Sequence, residues 1–187
     1  MKISAVSLAG GESRRMGKDK ATLLFHGRPL WQTQLDLLQK LDLAEIFVSA
    51  RADPPWRPTG VQFVADELPS RGPLSGLAAS LAQIQTGHLL ALAIDMPFMT
   101  ENCLRAFSNE IVSGRGVLPM IGDRAEPLAA IYPAHAHVDF VATLSGVEFS
   151  LQKLTNKLVK AGKLRVLRVT KKEEKLFRNL NEPVDLD

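Results

Sequence analysis

The sequence predicts an α/β fold, with helices around a mostly parallel central sheet that has a small antiparallel part. Three observations carry this expectation. Apolar strand-like segments alternate with helix-like segments along nearly the whole chain, the pattern that βαβ units produce. Residues 89–94 (LLALAI) are apolar at every position instead of every second one, as expected of a strand covered by helices on both faces. The tetrapeptide Ile121-Gly122-Asp123-Arg124 signals a turn between two shorter strands, which brings in antiparallel pairing.

Taken in order, residues 2–8 (KISAVSL) are an apolar first strand ending at Gly10-Gly11. Met1-Lys2 runs straight into it without a small-x-small cleavage site, so the segment reads as core and not as a signal peptide. Pro29 is expected in the first turn of a helix, where its missing N–H costs nothing. Leu30, Leu35, Leu37, Leu38 and Leu41 give that helix an apolar face. Residues 44–50 (AEIFVSA) are the second strand, Pro54-Pro55 is a break, and 61–65 (VQFVA) are the third strand. Pro73 opens a helix to about residue 84, and its Gly76, Ala78, Ala79, Ser80 and Ala82 allow close approach to a sheet or ligand. The strand 89–94 stops at Asp95-Met96-Pro97, and Thr100 caps a helix to about residue 112. Residues 116–120 and 127–132 are expected to be short strands flanking the turn. Helices over 135–144 and 151–161 and a strand over 164–169 complete the pattern before Asn179-Leu180-Asn181-Glu182-Pro183.

Composition bounds the function. With 187 residues, 45% hydrophobic and 23% charged, the chain is neither collagen-like, mucin-like nor wholly disordered. One domain over 1–187 is expected, large enough to bury roughly 70% of its unfolded surface. The one cysteine, Cys103, excludes an intramolecular disulfide or a four-thiolate zinc site. The longest apolar run is six residues, far short of the roughly 20 of a membrane helix, so a soluble cytoplasmic protein is expected. Net charge is +3, unevenly spread: residues 153–178 hold ten Lys or Arg against Glu173 and Glu174. That stretch reads as a solvated helix face and strand edge. A nucleic-acid stripe would interleave aromatics, and Phe177 is the only one there.

A second basic cluster sits among glycines: Leu8-Ala9-Gly10-Gly11-Glu12-Ser13-Arg14-Arg15-Met16-Gly17-Lys18-Asp19-Lys20. Glycines let backbone N–H groups turn toward an anion, while Arg14, Arg15, Lys18 and Lys20 add cations. A P-loop is excluded, because five residues separate Gly11 from Gly17 and Asp19 follows Lys18. The dinucleotide fingerprint fails on spacing too. On composition alone, a glycine-rich turn with surface arginines remains an alternative to a phosphate loop. Three segments fall at predicted strand ends, 9–20, 66–76 and 95–97, where α/β sheets bind ligands.

The loop, with Ala21, Leu23 and Gly27-Arg28-Pro29-Leu30, resembles the opening of nucleotidyltransferases that build nucleoside-diphosphate conjugates. Gly72-Pro73-Leu74-Ser75-Gly76, Asp95-Met96-Pro97, Glu126-Pro127-Leu128-Ala129-Ala130-Ile131-Tyr132 and Asn179-Leu180-Asn181-Glu182-Pro183 extend the resemblance over nearly the whole chain. They make it most similar to the molybdenum cofactor guanylyltransferase family. That resemblance implies a Rossmann-like three-layer α/β/α nucleotidyltransferase fold, and transfer of GMP from Mg-GTP to the terminal phosphate of molybdenum-bound molybdopterin. It implies that Leu8, Ala9, Gly10 and Gly11 hold the guanine nucleotide, with Gly72 and Gly76 close by. By the same resemblance Lys20 meets the triphosphate, Asp66 and Ser49 contact the nucleotide, Asp95 ligates Mg2+, and Asn179 and Asn181 lie toward the pterin. Cofactor-insertion proteins or molybdoenzymes are the implied partners, with neither nucleic acid nor membrane.

Joining two anions demands cations and positioning more than a covalent nucleophile. Arg15 is therefore the expected transition-state cation beside Lys20 and Asp95, and Arg14 is its neighbour. A solvated lysine or a turn aspartate is the structural alternative for Lys20 or Asp95. His135 and His137 lack an evident third metal ligand and read as surface histidines. Cys103 reads as core, and Trp31 and Trp56 as packing, with Trp56 able to line a rim. Other readings stay open: a CTP-using or sugar-phosphate nucleotidyltransferase, or a pocket that binds without turnover.

Overall fold

The computed structural model describes residues 2–10, 19–66 and 68–180. Strand β1 (Ile3–Leu8) leads through a short 3-10 turn (Lys20–Thr22) to a two-stranded hairpin, β2 (Leu24–Phe25) and β3 (Arg28–Pro29), and then helix α1 (Leu30–Gln39). There follow β4 (Leu43–Ala50), β5 (Gln62–Ala65), α2 (Pro73–Gln83), β6 (His88–Ala93) and α3 (Glu101–Asn109). The remainder is β7 (Gly116–Ile121), β8 (Arg124–Ala125), β9 (Ile131–Pro133), α4 (His137–Leu144), α5 (Leu151–Lys160) and β10 (Leu164–Arg168).

The main sheet runs β10-β7-β9-β6-β1-β4-β5, with β8 paired to β7. β1 pairs in parallel with β4 and β6, β4 with β5, and β7 with β10. β9 is antiparallel to both of its neighbours. The sheet is thus mostly parallel, with one reversed strand inside it.

Side-chain alternation sorts the strands into two faces. Val6 and Leu8 of β1, Phe47 of β4 and Leu89 and Ala91 of β6 join α2, α4 and α5 in one core. Ile3, Ala5, Leu90 and Leu92 face α1 and α3 on the other side. Every residue of β6 is buried, consistent with its unbroken apolar run. The outcome is three layers, helices on both faces of one sheet.

Some sequence expectations need correction. Residues 127–132 are not one strand: Pro127–Ala129 forms a 3-10 turn, with Tyr132 donating its hydroxyl hydrogen to the Pro127 carbonyl at 2.7 Å. Only Ile131–Pro133 joins the sheet, and the hairpin partner of β7 is the two-residue β8 around Gly122 and Asp123. Pro29 precedes the helix instead of opening it, because its hairpin is closed by Leu30 N–H donating to the Leu23 carbonyl at 2.9 Å. Helix α3 ends at Asn109, since a tight Val112–Arg115 bridge turns the chain at Gly114. Residues 134–136 wind as 3-10 before α4 begins at His137.

Candidate active site

The strand order reverses beside β1, with β4 and β5 on one side and β6 on the other. Ligands of open α/β sheets bind outside the carboxyl ends of the strands at such a point. Three main-chain hydrogen bonds tie those ends together. Ala9 N–H donates to Ser49 O at 2.8 Å, Asp66 N–H to Ala50 O at 3.0 Å, and Ile94 N–H to Leu8 O at 3.1 Å. Leu8, Ala9, Gly10, Ser49, Asp66 and Asp95 therefore share one edge.

Lys20 reaches this edge from the 3-10 turn. Asp19 caps the turn, its Oδ1 accepting the Ala21 N–H at 3.0 Å, and fully buried Ala21 anchors it. From there Lys20 Nζ lies 2.6 Å from Asp95 Oδ2, the two side chains 16% and 17% exposed. The pair joins residues 75 positions apart. Partial burial strengthens the attraction relative to a surface pair while leaving both groups reachable by a ligand.

Asp66 and Ser49 stand behind the glycines. Ser49, 1% exposed, donates its hydroxyl to Asp66 Oδ1 at 2.8 Å, and Ser70 Oγ lies 3.4 Å from Asp66 Oδ2. Helix α2 presses on them so closely that a Cβ on Gly76 would lie 2.3 Å from Ser49 Oγ. A Cβ on Gly10 would lie 2.7 Å from Asp66 Oδ2. Gly72, at φ +65°, ψ −141°, takes a conformation open to glycine and forms the N-cap ahead of Pro73. The small residues thus bring the helix α2 N-terminus to the same edge as Gly10.

Asn179 is exposed, and its neighbour Leu180 donates its N–H to the Asp95 carbonyl at 2.9 Å. The C-terminal motif therefore reaches Asp95 by a main-chain bond that spacing does not disclose. Gly11, Arg14, Arg15, Lys18 and Asn181 lie outside the described residues. Glu126 follows β8, and its N–H donates to Pro119 O at 2.9 Å. Burial pushes its carboxyl above the usual range, and nearby Arg124 partly opposes this.

Two residues gain importance from the structure. Ser70 supports Asp66 and lies with its hydroxyl 3.3 Å from Gly72 N, a serine two positions before a glycine at a helix start. Trp56 stacks on Trp31 with ring centroids 5.5 Å apart, and its Nε1–H donates to Asp19 Oδ2 at 3.0 Å. The tryptophans do pack, and one of them grips the turn that carries Lys20.

The remaining candidates lie elsewhere. Cys103 is buried, and burial chiefly, with Glu173, pushes its thiol up to about 11, leaving no thiolate near neutrality. His135 is exposed and begins no extended strand with His137, whose Nε2 is buried without a hydrogen-bond partner among the described residues. Among the described residues, no group of three or more His, Cys, Asp or Glu side chains converges to hold a metal. Asp95 suits a different arrangement. Its Oδ1 has no hydrogen-bond partner among the described residues, and a single hard carboxylate fits an ion that completes its shell with water and ligand oxygens.

The chain matches the family described as "MobA-like NTP transferase domain" over residues 5–162. It is 34% identical over 188 residues to the probable molybdenum cofactor guanylyltransferase of Opitutus terrae, covering 99% of this chain and 93% of that one. A Mycobacterium bovis protein of the same name is 34% identical over 191 residues, with 98% and 91% covered. Molybdopterin-guanine dinucleotide biosynthesis protein A from Archaeoglobus fulgidus superposes with a TM-score of 0.80 at 22% identity, covering 98% of this chain and 95% of that chain. A Thermus thermophilus 2-C-methyl-D-erythritol 4-phosphate cytidylyltransferase gives 0.68 at 17%, covering 100% and 96%, and shares the fold. By the family match and these relatives, the chain belongs to the MobA-like NTP transferase family, the one that holds the molybdenum cofactor guanylyltransferases it resembles.

Proposed function

We propose that the chain transfers GMP from GTP to the terminal phosphate of molybdenum-bound molybdopterin, forming the guanine dinucleotide cofactor and pyrophosphate. The observation that carries this reading is the Lys20–Asp95 pair at 2.6 Å where the strand order reverses. In the transfer, an oxygen of the acceptor phosphate attacks the α-phosphorus of GTP. The bond from that phosphorus to the α,β-bridging oxygen breaks, and pyrophosphate leaves with the electron pair.

Lys20 meets the β- and γ-phosphates and stabilises the departing charge, with Arg15 supplying a second cation at the reacting phosphoryl group. Electrostatic preorganisation of this kind is worth several kcal/mol of barrier. Asp95 is the residue to hold Mg2+, whose chemistry here is neutralisation of phosphate charge. Leu8, Ala9, Gly10 and Gly11 offer backbone groups to guanine against a wall made by Gly72 and Gly76, with Ser49 and Asp66 behind it. Asn179 and Asn181 serve the pterin substrate. The place of action is the cytoplasm, and the product passes to cofactor-insertion proteins or molybdoenzymes. No helix of the described residues is long and apolar enough to cross a membrane.

Pyrophosphate release with molybdenum-loaded molybdopterin tests the reading, comparing GTP with CTP. Turnover with GTP far above CTP is expected, together with a larger rise in Tm from GTP than from ATP or CTP in the presence of Mg2+. A preference for CTP, or turnover with a sugar phosphate in place of the pterin, overturns the assignment and leaves the fold intact.

A further inference from the structure

Asp19 lies beside Lys20 in the chain, and its carboxylate is near enough in sequence to compete with a triphosphate for the lysine. It does not pair with it: Lys20 Nζ pairs with Asp95 Oδ2, and both Asp19 oxygens are engaged elsewhere. Oδ1 accepts the Ala21 N–H at 3.0 Å, and Oδ2 accepts the Trp56 Nε1–H at 3.0 Å. The Asp19 carbonyl also accepts from Thr22, through N–H at 3.0 Å and Oγ1–H at 2.8 Å. The turn carrying Lys20 therefore hangs on Asp19, and one of the side-chain anchors of Asp19 comes from a distant loop.

That loop is itself braced. Trp56 stacks nearly parallel on Trp31 of helix α1, with 14° between the rings. Next to it, the Arg57 guanidinium bonds Asp53 at 2.7 and 2.6 Å and also reaches the Val61 carbonyl. An indole is a donor only, so it holds a carboxylate without offering any group to the ammonium of Lys20. Stacking fixes the ring plane, and the plane fixes the direction of the N–H.

We infer that Trp56 is a positioning residue for Lys20: its indole N–H, braced by Trp31, keeps the Asp19 carboxylate turned from the Lys20 ammonium, so that Lys20 stays available to a nucleoside triphosphate. The inference rests on the reading of Lys20 as the triphosphate contact. Trp56 itself touches no reacting atom.

Trp56→Phe keeps a ring for the stack and removes the N–H. Loss of one hydrogen bond to a charged acceptor is expected to lower kcat/KM for GTP about tenfold. Inhibition by added inorganic pyrophosphate should weaken by a similar factor. The KM for the pterin acceptor should stay within about twofold, and Tm should fall by no more than about 3 °C. Trp31→Phe keeps the N–H and should lie between wild type and W56F. The inference is overturned if W56F lowers Tm while GTP and pyrophosphate constants stay at wild-type values, or if the GTP and acceptor constants worsen equally. Wild-type protein that neither binds GTP nor releases pyrophosphate removes the underlying reading of Lys20, and this inference with it. Normal wild-type turnover matched by W56F removes the inference alone.

Discussion

The two halves of the sheet are built differently, and the proposed chemistry falls in only one of them. On one side, β5, β4, β1 and β6 run parallel, and their carboxyl ends carry Ala9, Ser49, Asp66 and Asp95. On the other, β9 is wedged antiparallel between β6 and β7, and the backbones pack so tightly that a Cβ on Gly116 would meet the Ile131 carbonyl oxygen at 1.9 Å. The parallel half ends at the strand-order reversal, the place where open α/β sheets bind ligands. The mixed half closes the sheet with steric precision, and its half-buried Lys163–Asp139 pair, also at 2.6 Å, ties α4 to the start of the edge strand β10, away from the strand-order reversal. Loss of function and loss of fold should therefore map to different halves.

The largest effect should come from Asp95→Asn in the parallel half. Turnover should fall by about 10²–10³-fold, the cost of losing one preorganised electrostatic group, while circular dichroism keeps its native α/β form. Turnover within a few-fold of wild type would deny the parallel half its chemical role. Next comes Gly116→Ala in the mixed half, where the new methyl group must displace backbone. A loss of about 3 kcal/mol is expected, at the upper end of overpacking, which lowers Tm by roughly 6–12 °C for a chain of this size. Its KM for GTP should stay near wild type below the melting range, and a selective rise in that KM would blur the division between halves.

The smallest effect concerns His88, at the start of β6 and the end of the sheet away from Asp95. Burial lowers its pKa below 6.5, a hydrogen bond with the Arg115 carbonyl opposes this, and nearby His135 lowers it further. The neutral ring is favoured in the folded state, so its contribution is fully present above 6.5 and is lost as pH falls through the lowered folded value. Thermal melts between about pH 7 and 5 should show a steeper loss for wild type than for His88→Gln. Parallel pH profiles for the two would assign the acid sensitivity to other groups.

Legibility in the sequence followed the same division. Successive βα units bury local runs, so residues 2–8 and 89–94 and the leucine face of α1 announced themselves by period and by turn residues. In the mixed half, Ile131 is a strand residue because of partners distant in sequence, and Pro127–Ala129, apolar by composition, winds as 3-10 because Tyr132 bonds its carbonyl. Apolar content marks burial, and it does not choose between a strand and a turn when the choice rests on specific hydrogen bonds, a distant strand for Ile131 and a tyrosine hydroxyl for Pro127.

By itself, the sequence determined the α/β class, the strand-end segments, and the residue types able to manage phosphate charge, because periodicity and local chemistry are written along the chain. Tertiary structure alone decided that Lys20 meets Asp95 across 75 positions, that Ser49 is spent on Asp66, and that Trp56 grips Asp19. Those pairings depend on which strand lies beside which, and a strand crossing sets that order in three dimensions without leaving a mark in local spacing.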